Sequence, residues 1–200
     1  RHHRLSTGTC IVSKQQILEA AAQIFSTKGY HATSMQDIAN AVNLKKASLY
    51  HHISSKQDVL IEILDQALDM VIEQVSQATQ SGHPTPEKLR RAMGTYLNTL
   101  ADHRELAAVL LLEYRSLDTP QYKDHITRRD RFENLWRDLI LEGQELGIFD
   151  CPDPAQAARA LLGLMNWTIT WYHPQGSLSA SEIADQYTDL LLHGLLQREA

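Results

Sequence analysis

The sequence predicts an all-α protein of about nine helices, and three observations carry that prediction. Apolar residues recur at i, i+3, i+4 and i+7 through most of the 200 residues. Capping residues and Pro or Gly breaks divide these runs into segments of helical length. No stretch alternates apolar and polar residues for long enough to read as a strand.

The first helix is expected over about 13–28, where Ile17, Ala20, Ala21, Ile24 and Phe25 form one stripe and Gly29 takes a left-handed cap. Thr33 with Gln36 has capping-box spacing and opens a short second helix with Met35, Ile38, Ala39 and Val42 inward, which Asn43 ends in the left-handed region. A third short helix spans about 45–52. Ser54 with Gln57 repeats the capping-box spacing and starts a long fourth helix to about 79, with Leu60, Leu64, Ala67, Leu68, Val71 and Val75 on one face.

The Ser81-Gly82-His83-Pro84 stretch breaks that helix, and Thr85 as N-cap before Pro86 restarts the chain with Leu89, Met93, Tyr96, Leu97 and Leu100 as its stripe. A further helix is expected over about 102–114. Thr119-Pro120 repeats the cap-plus-proline start of a long, outwardly charged helix carrying Phe132, Leu135, Trp136, Leu139 and Leu146, which Gly147 stops. Two last helices, about 154–172 and 180–197, form an antiparallel hairpin around the His173–Ser177 turn, the second opened by a Ser179/Glu182 capping box. The first of the pair is apolar on nearly every side, so it must be covered on two sides.

A hydrophobic fraction of 43% supports a buried core without staples. Cys10 and Cys151 have no metal-ligand spacing and suggest no disulfide framework, so neither a metal nor a cofactor is expected and a reducing cytoplasm is the simplest setting. No apolar run approaches the roughly 20 residues of a membrane span. Arg1 to Arg4 reads equally as a native basic arm or a cloning remnant. The net charge of −5 is divided unevenly: residues 1–58 carry seven bases against three acids, a net of +4, and the remainder carries −9. A basic head on an acidic body suits a protein that brings one end to phosphates.

Within that head, Leu44, Leu49 and Ile53 supply a packing face for the third helix, leaving Lys45, Lys46, Ala47, Ser48, Tyr50 and His51 outward. Point charges, small groups and hydrogen-bonding aromatics on a short helix suit the major groove of DNA. From Lys28 to Leu60 the chain reads KGYHATSMQDIANAVNLKKASLYHHISSKQDVL. This contiguous stretch closely resembles the signature of TetR-type transcriptional regulators, departing only where Asn43-Leu44 stands for the family's common Gly-Val or Gly-Ile. The resemblance implies a helix-turn-helix DNA-binding domain over 1–54 and a helical ligand-binding and dimerisation domain over 55–200. It also implies phosphate contacts by Thr33, Tyr50, His51 and Lys56, with Lys46, Ala47 and Ser48 nearest the bases.

One recognition helix reads only a few base pairs, so a homodimer is expected, its half-sites roughly 34 Å or a multiple apart. The C-terminal hairpin supplies a four-helix interface through Leu162, Ile169, Ile183, Tyr187, Leu190, Leu191 and Gly194, unless it is only the monomer's core. Met93, Tyr96, Leu110, Tyr114, Phe132, Trp136, Met165, Trp167 and Trp171 give the body enough large, adaptable surface to line a pocket for a hydrophobic inducer, with ordinary core packing as the alternative. The segment LMNWTITWYHPQGSLSASEIADQYTDLLLHGL resembles the tail of TetR-type regulators of fatty-acid and sterol catabolism. That resemblance implies an acyl-CoA inducer, its phosphates met by some of Arg128, Arg129, Arg131 and Arg137; a drug or other planar hydrophobic inducer is the competitor.

The long fourth helix, which starts directly after the recognition helix and enters the body, is the expected route from ligand to DNA. Two other classes compete. An enzyme would need grouped catalytic residues, and no G-x-S-x-G, Walker, H-E-x-x-H or Rossmann pattern is present. A ligand-independent architectural protein has no use for so large an apolar body.

Overall fold

The computed structural model describes residues 12–193, and all regular structure among them is helical. Arg1, Arg4, Cys10, Gly194 and Leu195 lie outside the described residues. Helix α1 is Lys14–Lys28, with Ser13 as N-cap in a reciprocal capping box with Gln16. Its Ile17, Leu18, Ala21, Ala22 and Phe25 are buried. Gly29 follows at φ 85°, a conformation strained for any residue with a Cβ.

Helix α2, Met35–Ala41, is capped by Ser34 and not by Thr33. Ser34 Oγ accepts from the Asp37 amide while Asp37 accepts from the Ser34 amide at 2.8 Å. Thr33 is excluded from the cap because its own hydroxyl donates to the Gly29 carbonyl at 2.8 Å. Asn43 takes φ 55° as expected and turns the chain into α3, Lys46–Leu49, which is one regular turn continued by looser turns to His52. The capping-box reading at Ser54 is also displaced by one: Ser55 caps α4, Lys56–Thr79, through the Asp58 amide. All six residues expected on its inner face are buried.

Helix α5, Thr85–Asp102, has Pro84 as N-cap, so Thr85 opens the helix and does not cap it. Its hydroxyl instead donates to Glu142 at 2.8 Å, beside a Lys88–Glu142 ion pair at 2.9 Å. The helix expected over 102–114 is corrected in both extent and type. His103 separates α5 from α6, Arg104–Ala108, which passes into a π turn, Val109–Glu113, and a 3₁₀ turn, Tyr114–Ser116. A π turn makes room for a wall to bend, and such turns gather at functional sites.

Helix α7 is Thr119–Glu145, with Asp118 at the N-cap position but making no side-chain capping bond, Thr119 and Pro120 in its first turn, and Gly147 at φ 69° just past its end. The chain then folds back so closely that a Cβ on Gly143 would lie 2.1 Å from the Phe149 ring. The helix expected over 154–172 is interrupted: α8, Pro154–Asn166, and α9, Thr168–Trp171, meet at Trp167. Helix α10, Ala180–His193, carries the expected Ser179/Glu182 cap. It packs chiefly along α5 and only lightly on α8, so the simple hairpin is replaced by an α5–α10 pairing. Arg90 of α5 clamps Asp185 and Asp189 at 3.1 and 2.5 Å, and Asn98 bonds Ser181 at 2.9 Å. No described helix is long and apolar enough to cross a membrane.

Candidate nucleic-acid interface and ligand cavity

Helices α1–α3 hold a short outward face by burying Phe25, Ile38, Ala39, Leu49 and Ile53 beneath it. Burial of each large side chain contributes about 1.5–3 kcal/mol, enough to fix a four-residue helix that could not form alone. Lys45, Lys46, Ala47, Tyr50 and His51 are exposed and Ser48 is half-buried. The lysines divide by partner. Lys14 pairs with Glu62 at 2.7 Å and Lys28 with Asp37 at 2.9 Å. Lys45 and Lys46 have no ion-pair partner among the described residues, which leaves their charge for an external anion.

Two of the expected phosphate contacts sit differently. Thr33 is buried with its hydroxyl spent on Gly29. The Lys56 ammonium donates to the Tyr30 and Thr33 carbonyls at 2.8 and 2.7 Å and lies 4.3 Å from the Tyr30 ring centroid, so one of its three donors is left for anything outside. Lys28 and the Ser34 cap together hold the Asp37 carboxyl down to about 2, the backbone hydrogen bond from Ser34 being the larger cause.

The body contains a cavity of about 210 Å³ between α4, the π turn, α7 and α8. Of the nine residues expected to line a pocket, Tyr96, Leu110, Tyr114 and Phe132 do so. Met93, Trp136 and Met165 are buried elsewhere in the core, Trp136 in an aromatic cluster with Tyr96 and Phe132 at 5.9 and 6.1 Å. Trp167 and Trp171 are 67% and 42% exposed, on the surface of the α8–α9 junction. Ordinary core packing therefore accounts for three of the nine, and surface position for two.

The wall also holds Leu68, expected only on the inner face of the fourth helix, and three residues that periodicity did not single out: Leu111, Ile126 and Asn166. Asn166 accepts from the Tyr96 hydroxyl at 2.7 Å, the partner that a buried tyrosine requires. Leu162, expected at a dimer interface, lines this cavity. Ile183, expected there too, is buried within its own chain, whereas Leu190 and Leu191 are exposed, and Ile169 and Tyr187 half-buried.

The four arginines separate clearly. Arg128 forks onto Asp65 and Asp69 of α4, Arg131 is exposed, and Arg137 lies 3.7 Å from Asp138. Arg129 lines the cavity, its guanidinium 4.2 Å from the Tyr114 ring centroid and its Nη1 buried without a hydrogen-bond partner. Next to this cavity, a second void of about 160 Å³ between α4 and α7 is bordered by His125, whose burial beside Arg129 and Arg128 pushes its imidazole down to about 4. A larger groove of about 360 Å³ lies among α5, α7, α8 and the end of α10, but it is bounded by His193, beyond which the chain continues outside the described residues.

Cavity and head are joined through one short turn. Tyr114 lines the cavity, and two residues later the Ser116 carbonyl accepts from Gln57 in the first turn of α4 at 3.1 Å, while the Ser116 hydroxyl meets His31 Nε2 of the head at 3.1 Å.

Residues 17–63 match the family model described as bacterial regulatory proteins, tetR family, and residues 82–195 match the tetracyclin repressor-like C-terminal domain. The HTH-type transcriptional repressor KstR2 of Mycolicibacterium smegmatis is 28% identical over 189 residues, 93% of this chain and 92% of that protein. Among solved structures, the regulator PfmR from Thermus thermophilus is similar at 38% identity and a TM-score of 0.85, covering 91% of this chain and 100% of that one. AibR, solved in complex with isovaleryl coenzyme A and operator DNA, is similar at 29% identity and a TM-score of 0.83, covering 90% and 97%.

Proposed function

The chain belongs to the tetR family of bacterial regulatory proteins, and from that premise we propose that it is a cytoplasmic homodimeric repressor released from operator DNA by an acyl-CoA-type ligand held beside Tyr114. The observation that carries this reading is the placement of Tyr114 and Ser116 on one 3₁₀ turn, one residue against the cavity and the other against the head. The likeness to AibR, a structure holding both an acyl-CoA and an operator, supports the ligand class.

Residues 1–54 are the DNA-binding unit in this reading, and 55–200 receive the ligand and the second copy. Lys45 and Lys46 meet phosphates and base edges first, since their charges are unspent; Ala47, Ser48, Tyr50 and His51 complete the face. Lys56 serves chiefly as the strut that holds Tyr30 and Thr33 in place, with one donor directed at the backbone of DNA. The exposed Trp167, Trp171, Leu190 and Leu191 are covered by the second copy. Ligand in the cavity displaces Tyr114 and with it Ser116, tilting the start of α4 and altering the distance between the two recognition helices.

The test is operator binding by fluorescence anisotropy, with DNA from the region upstream of the gene and hexanoyl-CoA as probe. Lys46→Ala is expected to weaken binding and lower the salt slope by about 1. Gln57→Leu is expected to leave ligand-free binding within about twofold while reducing the response to hexanoyl-CoA, because it cuts the link and not the DNA face. Unchanged operator affinity at saturating hexanoyl-CoA would discard the acyl-CoA reading.

A further inference from the structure

Arg129 is a cation without an anion. Its Nη1 is buried without a hydrogen-bond partner, and no ion pair reaches the guanidinium among the described residues. A buried, unsatisfied charged donor costs more than a neutral one and calls for a partner. The acids nearby are otherwise engaged: Asp65 and Asp69 take Arg128, and Glu133 takes Arg159 at 3.0 Å. Asp130, the remaining acid on the cavity wall, is exposed and forms no ion pair with Arg129.

Around that guanidinium the wall is otherwise built for an apolar body. Leu68, Leu110, Phe132 and Leu162 share the cavity with it, and the Tyr114 ring is the surface it rests on. A second polar orphan lies one helical turn back: His125 is 4% exposed, contacts the Tyr114 ring at 5.9 Å, and has neither ring nitrogen bonded. His125 reaches that ring from the neighbouring void and stays neutral, so it is the Arg129 guanidinium on the cavity wall that marks the end where negative charge is wanted.

We propose that Arg129 receives a carboxylate of the inducer inside the cavity, so that the ligand is an acid with an apolar body, or a thioester bearing a second, free carboxylate. This rests on the reading that the cavity holds the inducer. The same chemistry could come from a CoA phosphate, but the apolar Leu68, Leu110, Phe132 and Leu162 around the guanidinium favour the smaller, singly charged carboxylate. The cavity of about 210 Å³ admits about seven non-hydrogen atoms at water's liquid share of about 30 Å³ each, which is close to the size of a six-carbon acid. Two parallel hydrogen bonds from the planar guanidinium fit a carboxylate, and a lysine would not reproduce that fork.

Isothermal titration of the full-length protein with hexanoate, 1-hexanol, hexanoyl-CoA and CoA decides the matter, each against wild type, Arg129→Gln and Arg129→Lys. Hexanoate is expected to bind at least tenfold tighter than 1-hexanol, with Arg129→Gln abolishing that preference and leaving 1-hexanol unchanged, and Arg129→Lys restoring it in part. Equal binding of acid and alcohol by the wild type overturns the proposal, whether or not the variants fold. Binding of hexanoyl-CoA and CoA that depends on Arg129, with none of hexanoate, assigns the guanidinium to a phosphate and overturns it while leaving the acyl-CoA reading intact. Arg129-dependent binding of hexanoate with none of hexanoyl-CoA supports the proposal and ends the acyl-CoA reading. Failure of all four probes overturns both.

Discussion

Lowering the pH from 7.5 to 5.0 tests the burial of His125 directly. The imidazole is 4% exposed and its affinity for a proton falls from the ordinary 6.5 to about 4, first through desolvation and then through Arg129 and Arg128. Asp65 on the facing helix, itself pushed upward mainly by burial, is paired with Arg128 and does not neutralise the site. Because the folded value is the lower one, the unfolded chain takes up the proton first as pH falls. The stability His125 confers by staying neutral is therefore complete above about 6.5 and is lost progressively down to about 4. At pH 5.0 the linkage amounts to roughly 2 kcal/mol, against almost nothing at pH 7.5. Urea unfolding at one fixed protomer concentration, at both pH values, measures it. His125→Phe keeps the ring against Tyr114 but cannot titrate, so it should lose about 2 kcal/mol less than wild type over the same interval. Equal losses in the two proteins would refute the reasoning.

Three further outcomes are expected. Gly143→Ala forces a methyl group into the Phe149 ring and should destabilise the protein by about 1–3 kcal/mol, read as a lower urea midpoint. Lys56→Met removes the cation that two backbone carbonyls and the Tyr30 ring share; a loss of about 1–3 kcal/mol is expected, with amide exchange accelerating first in α1–α3. Trp167→Lys should shift the protein toward monomer in sedimentation velocity with little effect on the chain's own helix content, since Trp167 is 67% exposed; an unchanged sedimentation coefficient places the second copy elsewhere.

Apolar periodicity and punctuation were enough to read the helical class, the stop at Gly147, the left-handed Asn43 and the buried face of α4, because each depends on residues within a turn or two of one another. The capping errors at α2 and α4 were local too, and of one kind. At Thr33-Ser34 and Ser54-Ser55 two adjacent hydroxyl residues stand before each helix, and either can be paired with a suitable residue three positions on. In the folded chain Thr33 is drawn away by the Gly29 carbonyl, and the second residue of each pair is the one held extended enough to cap.

The positively charged outward face of the third helix was likewise legible in the sequence, since a four-residue helix has only one packing side. Which lysines of the head remain unpaired was not: Lys28 of α1 meets Asp37 nine residues away, and Lys56 at the start of α4 reaches back 26 residues to Tyr30. The cavity shows the same division more sharply. Aromatic content marked the body as able to hold a pocket, but composition weighs Trp136 and Trp167 alike, and only packing sends one to the core and leaves the other outside.

Sequence by itself determined the helices, the basic head and its family signature, all of which follow from spacing along one chain. Tertiary structure alone decided that α10 lies on α5, that α6 loosens into a π turn against the cavity, and that Arg129 stands half-buried beside Tyr114 with no ion-pair partner among the described residues. Those outcomes depend on contacts between residues far apart in sequence, whose distances are set by how whole helices pack and not by any interval a sequence displays.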